Sequence, residues 1–156
     1  MDLFDKFINM IAAFEDNNVE YILIGGFAVV LHGYPRLTQD IDIFIRPVQS
    51  NIDMLTVALK NVFDDPAIDD ITLEELKRYP VIRYGTPDGF NIVLITNIGE
   101  AFSFENIQYE KHIVEGQPIN IATTESLIKM KENTMRDIDR IDVQFLRGKQ
   151  KNKNDG

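Results

Sequence analysis

Asp40 and Asp42 stand one residue apart in the segment DIDIFI, interleaved with Ile41, Ile43 and Ile45. If the segment is extended, successive side chains leave opposite faces, so both carboxylates share one side and the isoleucines can enter a core on the other. Two carboxylates held this close repel unless a counter-charge joins them. A divalent cation supplies that charge and keeps positions open for water and phosphate oxygens. A half-buried strand with a polar outer face has the same pattern, and an isolated Asp-x-Asp is too short to decide between the two.

The residues just upstream narrow the choice. Gly25 and Gly26 end an apolar run and open the segment FAVVLH, where paired glycines would expose backbone N–H groups to a phosphate with no Cβ in the way. Arg36 has the planar fork that suits a phosphate, and Thr38 can donate from its hydroxyl. Taken singly, these are ordinary turn and loop residues. In the order Gly-Gly, then Arg-x-Thr-x-Asp-x-Asp, all within residues 25–42, they are much less easily an accident than any one of them alone.

The elements that must position these residues follow from periodicity and turn chemistry. Leu3, Phe4, Phe7, Ile8, Ile11 and Phe14 lie on one face of an amphipathic helix. Val19 to Ile24 make a short buried strand, Phe27 to His32 a helix ending at Gly33, and Asp40 to Ile45 a strand stopped by Pro47. Ile52, Leu55, Leu59 and Val62 mark a further helix. An acidic loop, FDDPAIDD, follows it, and then a short helix capped by Thr72. The turn GTPDG joins Val81–Tyr84 to Phe90–Thr96 as an antiparallel hairpin, and EGQP joins Lys111–Val114 to Ile119–Ile121 as a second. Leu127, Ile128, Met130 and Met135, then Ile138, Ile141, Phe145 and Leu146, give one or two closing helices. The expected fold class is α+β, a small mixed β-sheet with flanking helices. It forms a single domain over residues 1–147, with residues 148–156 a polar, disordered tail.

Composition excludes several kinds of function. The chain has no cysteine and two histidines, which removes thiolate zinc sites and cysteine nucleophiles and leaves oxygen ligands, favouring Mg²⁺ or Mn²⁺. A formal charge of −9 argues against a broad nucleic-acid-binding face. The lack of a long apolar run argues against a membrane span, and the start of the chain has no export-signal pattern. Cytoplasmic localisation is therefore expected.

The stretch from Gly25-Gly26 through His32-Gly33 to Arg36-x-Thr38-x-Asp40-x-Asp42 resembles the signature of the nucleotidyltransferase (polymerase-β-like) superfamily. It is most similar to the small bacterial group that includes AbiEii-type toxins and the lincosamide and aminoglycoside nucleotidyltransferases. Near the C-terminus, IATTESLIKMKENTMRDIDRIDVQFL is similar to that group's closing helix pair, a Leu-Ile-x-x-Lys run ahead of paired aspartates, here Asp139 and Asp142. The resemblance implies an NTP held as its Mg²⁺ complex, with Gly25, Gly26, Arg36 and Thr38 binding nucleotide and Asp40 and Asp42 acting as metal ligands and catalytic residues. An acceptor hydroxyl on RNA, protein or a small molecule would attack the α-phosphorus. The resemblance also raises a toxin-like role with an antitoxin-like protein partner. Exposed apolar surface at the hairpins leaves a homodimer open.

Lys131 reads as a solvated helix lysine, with phosphate binding as its alternative. Asp139 and Asp142, three apart, share a helix face and either order the site or are exposed. One departure from the family pattern matters. The family carries a third acid in the middle of a strand that corresponds here to Gly89–Ile95, and the matching position is Val93. Asp88, in the turn, is the nearest substitute. Asn91 has the parity of Val93 and could offer a neutral oxygen but not a base. The alternative function is therefore a catalytically degenerate member that binds nucleotide or a partner chain.

Overall fold

The computed structural model describes residues 2–38, 40–99, 102–132 and 136–155. Helix α1, Leu3–Asp16, starts where the Asp2 carboxylate accepts the Asp5 amide at 2.9 Å, and buries Phe7, Met10, Ile11 and Phe14. Burying each such side chain contributes roughly 1.5–3 kcal/mol. Strand β1, Tyr21–Ile24, is buried along its whole length and passes directly into helix α2, Gly25–Leu31. Strand β2, Asp40–Ile45, follows a short loop and leads to helix α3, Gln49–Phe63.

The acidic loop contains a 3-10 turn at Pro66–Asp70, and helix α4, Leu73–Arg78, is capped by Thr72 as expected. Strands β3, Val81–Gly85, and β4, Asn91–Ile95, form the first hairpin; β5, Tyr109–Val114, and β6, Gln117–Ala122, form the second. The second turn is tighter than the sequence suggested. Glu115 and Gly116 take it alone, both with positive φ (49° and 80°), and Gln117 and Pro118 already belong to β6. A two-residue connection with two left-handed positions matches the right-handed twist of its strands.

The six strands run in the order β3-β4-β2-β1-β6-β5. β2 lies inside the sheet, antiparallel to β1 and parallel to β4. α1 packs on α3 and on β6, and α2 rests against β1 and β2. The expected α+β class, a mixed sheet with flanking helices, is what forms.

Helices α5, Thr124–Lys131, and α6, Asp137–Asp155, pack on each other and close the chain. Met135, expected on this pair, lies outside the described residues. Helix α6 continues through Asp155, over the residues that polar composition marks as a tail. The helix is nevertheless held by its neighbour: Lys149 donates to the His32 carbonyl oxygen at 2.7 Å, anchoring this part of α6 to the end of α2. No helix among the described residues is long and apolar enough to cross a membrane.

Candidate active site

In β2, Ile41 and Ile43 are fully buried on one side of the sheet, leaving Asp40 and Asp42 on the other. The register then sets their neighbours. Asp42 faces Ile24 across β1 and Val93 across β4, and Asp40 faces Asn91. One strand further out, Arg83 pairs with Val93 and Gly85 with Asn91. Two rows therefore cross the sheet: Asp42, Val93, Arg83 and, beside it, Asp40, Asn91, Gly85.

The paired glycines make room for this arrangement. Gly25 has φ of +72°, and a Cβ there would collide with the Asp42 carboxylate. A side chain at this position is excluded both by backbone conformation and by contact. A Cβ on Gly26 would collide with the Arg36 guanidinium. The sequence suggested glycines bared for a phosphate. In the structure their Cβ space is taken by two of the chain's own charged groups, an acid over Gly25 and a base over Gly26.

Arg36 and Thr38 hold the approach to β2. The Arg36 Nε and Nη2 groups each donate at 2.9 Å to the two oxygens of Asp142, while Nη1 donates to the Leu37 carbonyl at 3.0 Å. Thr38 donates its hydroxyl to the Asp40 carbonyl oxygen at 3.2 Å. Asp142 is fully buried and also meets Lys131 Nζ at 3.1 Å; Lys131 donates to Asp139 at 3.0 Å. The reading of Lys131 as a solvated helix lysine is therefore wrong. It is 8% exposed and tied to two buried carboxylates, because the start of α6 folds back over the end of α5. The choice left open for Asp139 and Asp142 is settled as well: both are buried, at 4% and 0% exposure.

Asp42 is an unusual carboxylate. Burial pushes its pKa up, the nearby Asp40 charge pushes it further, and Lys131, Arg136 and Arg83 pull partly against both. Asp40 is better compensated, with the Asn91 amide donating to Oδ1 at 3.1 Å and Arg83 Nη2 lying 3.6 Å from Oδ2. Asp88, the suggested substitute for a third acid, is instead ion-paired with Lys6 of α1 at 3.4 Å. Among the described residues no group of three or more His, Cys, Asp or Glu side chains is arranged to hold a metal.

The two carboxylates still fit a hard divalent cation as far as their chemistry goes. Both are oxygen donors in adjacent positions on a rigid interior strand, and the repulsion that raises Asp42 is what such an ion would relieve. The site residue that sequence reasoning missed is Arg83. Its signal was the hairpin register, since closing GTPDG tightly pairs Gly85 with Asn91 and so sets Arg83 opposite Val93.

Neither a protein-family model nor a curated protein sequence matches the chain. Solved structures do match. One is the lincosamide antibiotic adenylyltransferase LnuA bound to lincomycin: TM-score 0.56, 15% identity, covering 92% of this chain and 95% of that one. Another is an antigenic nucleotidyltransferase-like protein from Paracoccidioides brasiliensis: TM-score 0.56, 18% identity, covering 90% and 74%. The fold is that of the nucleotidyltransferases. A third match is ANT(2")-Ia in complex with adenylyl-2"-tobramycin, with TM-score 0.54, 13% identity, and coverage of 92% and 87%. At these identities the agreement is one of backbone path. In this nucleotidyltransferase fold, the chemistry has to be argued from Asp40, Asp42 and the cations around them.

Proposed function

We propose that this chain binds an NTP together with a divalent cation, Mg²⁺ or Mn²⁺, and transfers the nucleoside monophosphate to an acceptor hydroxyl. The acceptor oxygen bonds to the α-phosphorus and its hydroxyl proton passes to solvent, while the bond from that phosphorus to the β-bridging oxygen breaks and pyrophosphate leaves. The observation that carries this reading is the Asp40–Asp42 row packed against Gly25, with Asp42 raised in pKa by burial and by Asp40. Asp40 and Asp42 hold the cation. The ion, when bound, neutralises charge developing on the phosphoryl oxygens.

The surrounding cations supply the anion-binding half of the reading. In a chain of net charge −9, Arg83, Lys131 and Arg136 all act on Asp42. Arg83 and Arg136 have largely exposed side chains, at 64% and 74%, and can reach a triphosphate. Gly25 and Gly26 offer backbone N–H groups at the start of α2, and Thr38 steadies the Asp40 backbone. Arg36 uses three N–H groups on Asp142 and Leu37, so two of its five remain for a phosphate. A small-molecule acceptor is the favoured class, supported by the lincomycin and adenylyl-tobramycin held by two of the structural neighbours. The wider reading places the chain in the cytoplasm, with a toxin-like role, an antitoxin-like partner and self-association at the sheet edges as its further elements.

A second reading is favoured by Val93. With an apolar side chain opposite Asp42, no third carboxylate stands ready in this row for the acceptor's proton. The chain would then bind nucleotide, or a partner, without transfer. Calorimetry with a non-hydrolysable NTP, with and without Mg²⁺, tests the shared part of both readings. Wild type should bind in a Mg²⁺-dependent manner, and the Asp40→Asn/Asp42→Asn double variant should not. Absence of binding for all four bases would overturn both. Pyrophosphate release with candidate acceptors separates transfer from binding alone, and growth arrest on expression, relieved by Asp42→Asn, tests the toxin-like role.

A further inference from the structure

We propose that the Asp40–Asp42 row takes a single divalent cation and that Arg83 supplies the second positive charge, contacting the phosphates directly. The inference rests on the NTP-binding reading above and concerns how the same site is charged. Two dications clamping a phosphoryl group lie about 3.5–4 Å apart and need carboxylates enough to balance them. Here β2 offers two acids, and the β4 residues opposite them, Asn91 and Val93, carry no charge. Both oxygens of Asp40 already face donors, the Asn91 amide on Oδ1 and the Arg83 guanidinium near Oδ2. A guanidinium 3.6 Å from Asp40 opposes a second dication there.

The other nearby cations each pair with a carboxylate of α6. Lys131 is held between Asp139 and Asp142, and Arg36 is bidentate to Asp142. Arg136 lies 3.8 Å from Asp139. Arg83 is the cation whose carboxylate partner is itself in the metal row. Gly85, its neighbour toward Asn91, carries no side chain to stand between the guanidinium and an incoming ligand. The planar fork can grip two phosphate oxygens at once, which an ammonium cannot.

The test is a Mn²⁺ titration of the full chain by electron paramagnetic resonance, with and without a saturating non-hydrolysable NTP, for wild type, Arg83→Ala and Arg83→Lys. Because Arg83 is exposed, the variants should melt like wild type. One Mn²⁺ per chain is expected for wild type with nucleotide. Arg83→Ala should bind bare Mn²⁺ about threefold to tenfold more tightly, since a like charge has gone, yet bind the Mn²⁺–nucleotide complex about tenfold more weakly. Arg83→Lys should recover part of the second effect. Two Mn²⁺ per chain, or an Arg83→Ala variant that shifts both affinities in the same direction or neither, would overturn the inference and leave the nucleotide site standing. No Mn²⁺ bound by wild type even with nucleotide would overturn that underlying reading, and this inference with it.

Discussion

In the proposed site, Asp42 would set stability against function in one side chain. Its pKa is raised in the fold, chiefly by burial and then by Asp40, so the folded chain holds a proton there more readily than the unfolded chain does. Without metal, stability contributed by this group is therefore greatest below the ordinary carboxylate pKa and is lost as pH rises through the shifted value. Replacing Asp42 by Asn should raise the metal-free stability at neutral pH by about 1 kcal/mol and flatten its dependence on pH over the acidic range. The same variant should no longer gain stability from added Mg²⁺, whereas wild type should. Thermal melting across pH, with chelator and with Mg²⁺, checks both. A fall in metal-free stability would show that Asp42 is better compensated than the packing indicates.

At the scale of elements, the β1–α2 junction is the part of the site that the sequence announces most clearly and explains least completely. Strand, paired glycines, helix and acidic strand were all legible, because β-branched runs, left-handed glycine positions and period-2 alternation are local properties. What fills the space above the glycines was not legible. Gly25→Ala should cost about 1–3 kcal/mol, from positive φ and from collision with the Asp42 carboxylate, and should lower cation affinity because Asp42 must move. Gly26 has no positive φ, and its added Cβ would meet the end of an arginine side chain. Gly26→Ala should therefore cost less stability and spare the cation. Denaturant midpoints paired with Mn²⁺ titration compare the two, and equal effects would count against this assignment of roles.

Across the whole molecule, the closing helices are built into the site. Asp142 of α6 is fully buried between Arg36, from the loop ahead of β2, and Lys131 of α5. Asp142→Ala would strip the Arg36 guanidinium of its carboxylate and Lys131 of one of its two, and should destabilise by about 3–5 kcal/mol, far more than an exposed acid on the same helix such as Asp137. Equilibrium unfolding of Asp142→Ala beside Asp137→Ala measures the difference. A second tie, from Lys149 to His32, keeps the far end of α6 on the same body. Burial holds the His32 pKa below its ordinary value, consistent with a neutral ring accepting from that lysine.

The order Gly-Gly, Arg-x-Thr-x-Asp-x-Asp was enough by itself to place two carboxylates on one face of a strand next to a glycine turn, because alternation and turn geometry are set by residues a few positions apart. The mixed sheet and both hairpins were legible for the same reason, whereas the expectation of an acid at Val93 came only from the resemblance to the nucleotidyltransferase pattern. Which charges neutralise which was decided only in three dimensions. The Arg36–Asp142 pair spans 106 residues, and the approach of Arg83 to Asp40 depends on the register of β3 on β4 and of β4 on β2. Spacing along the chain cannot specify such pairs, since each exists only once the sheet has closed and the last two helices have packed against it.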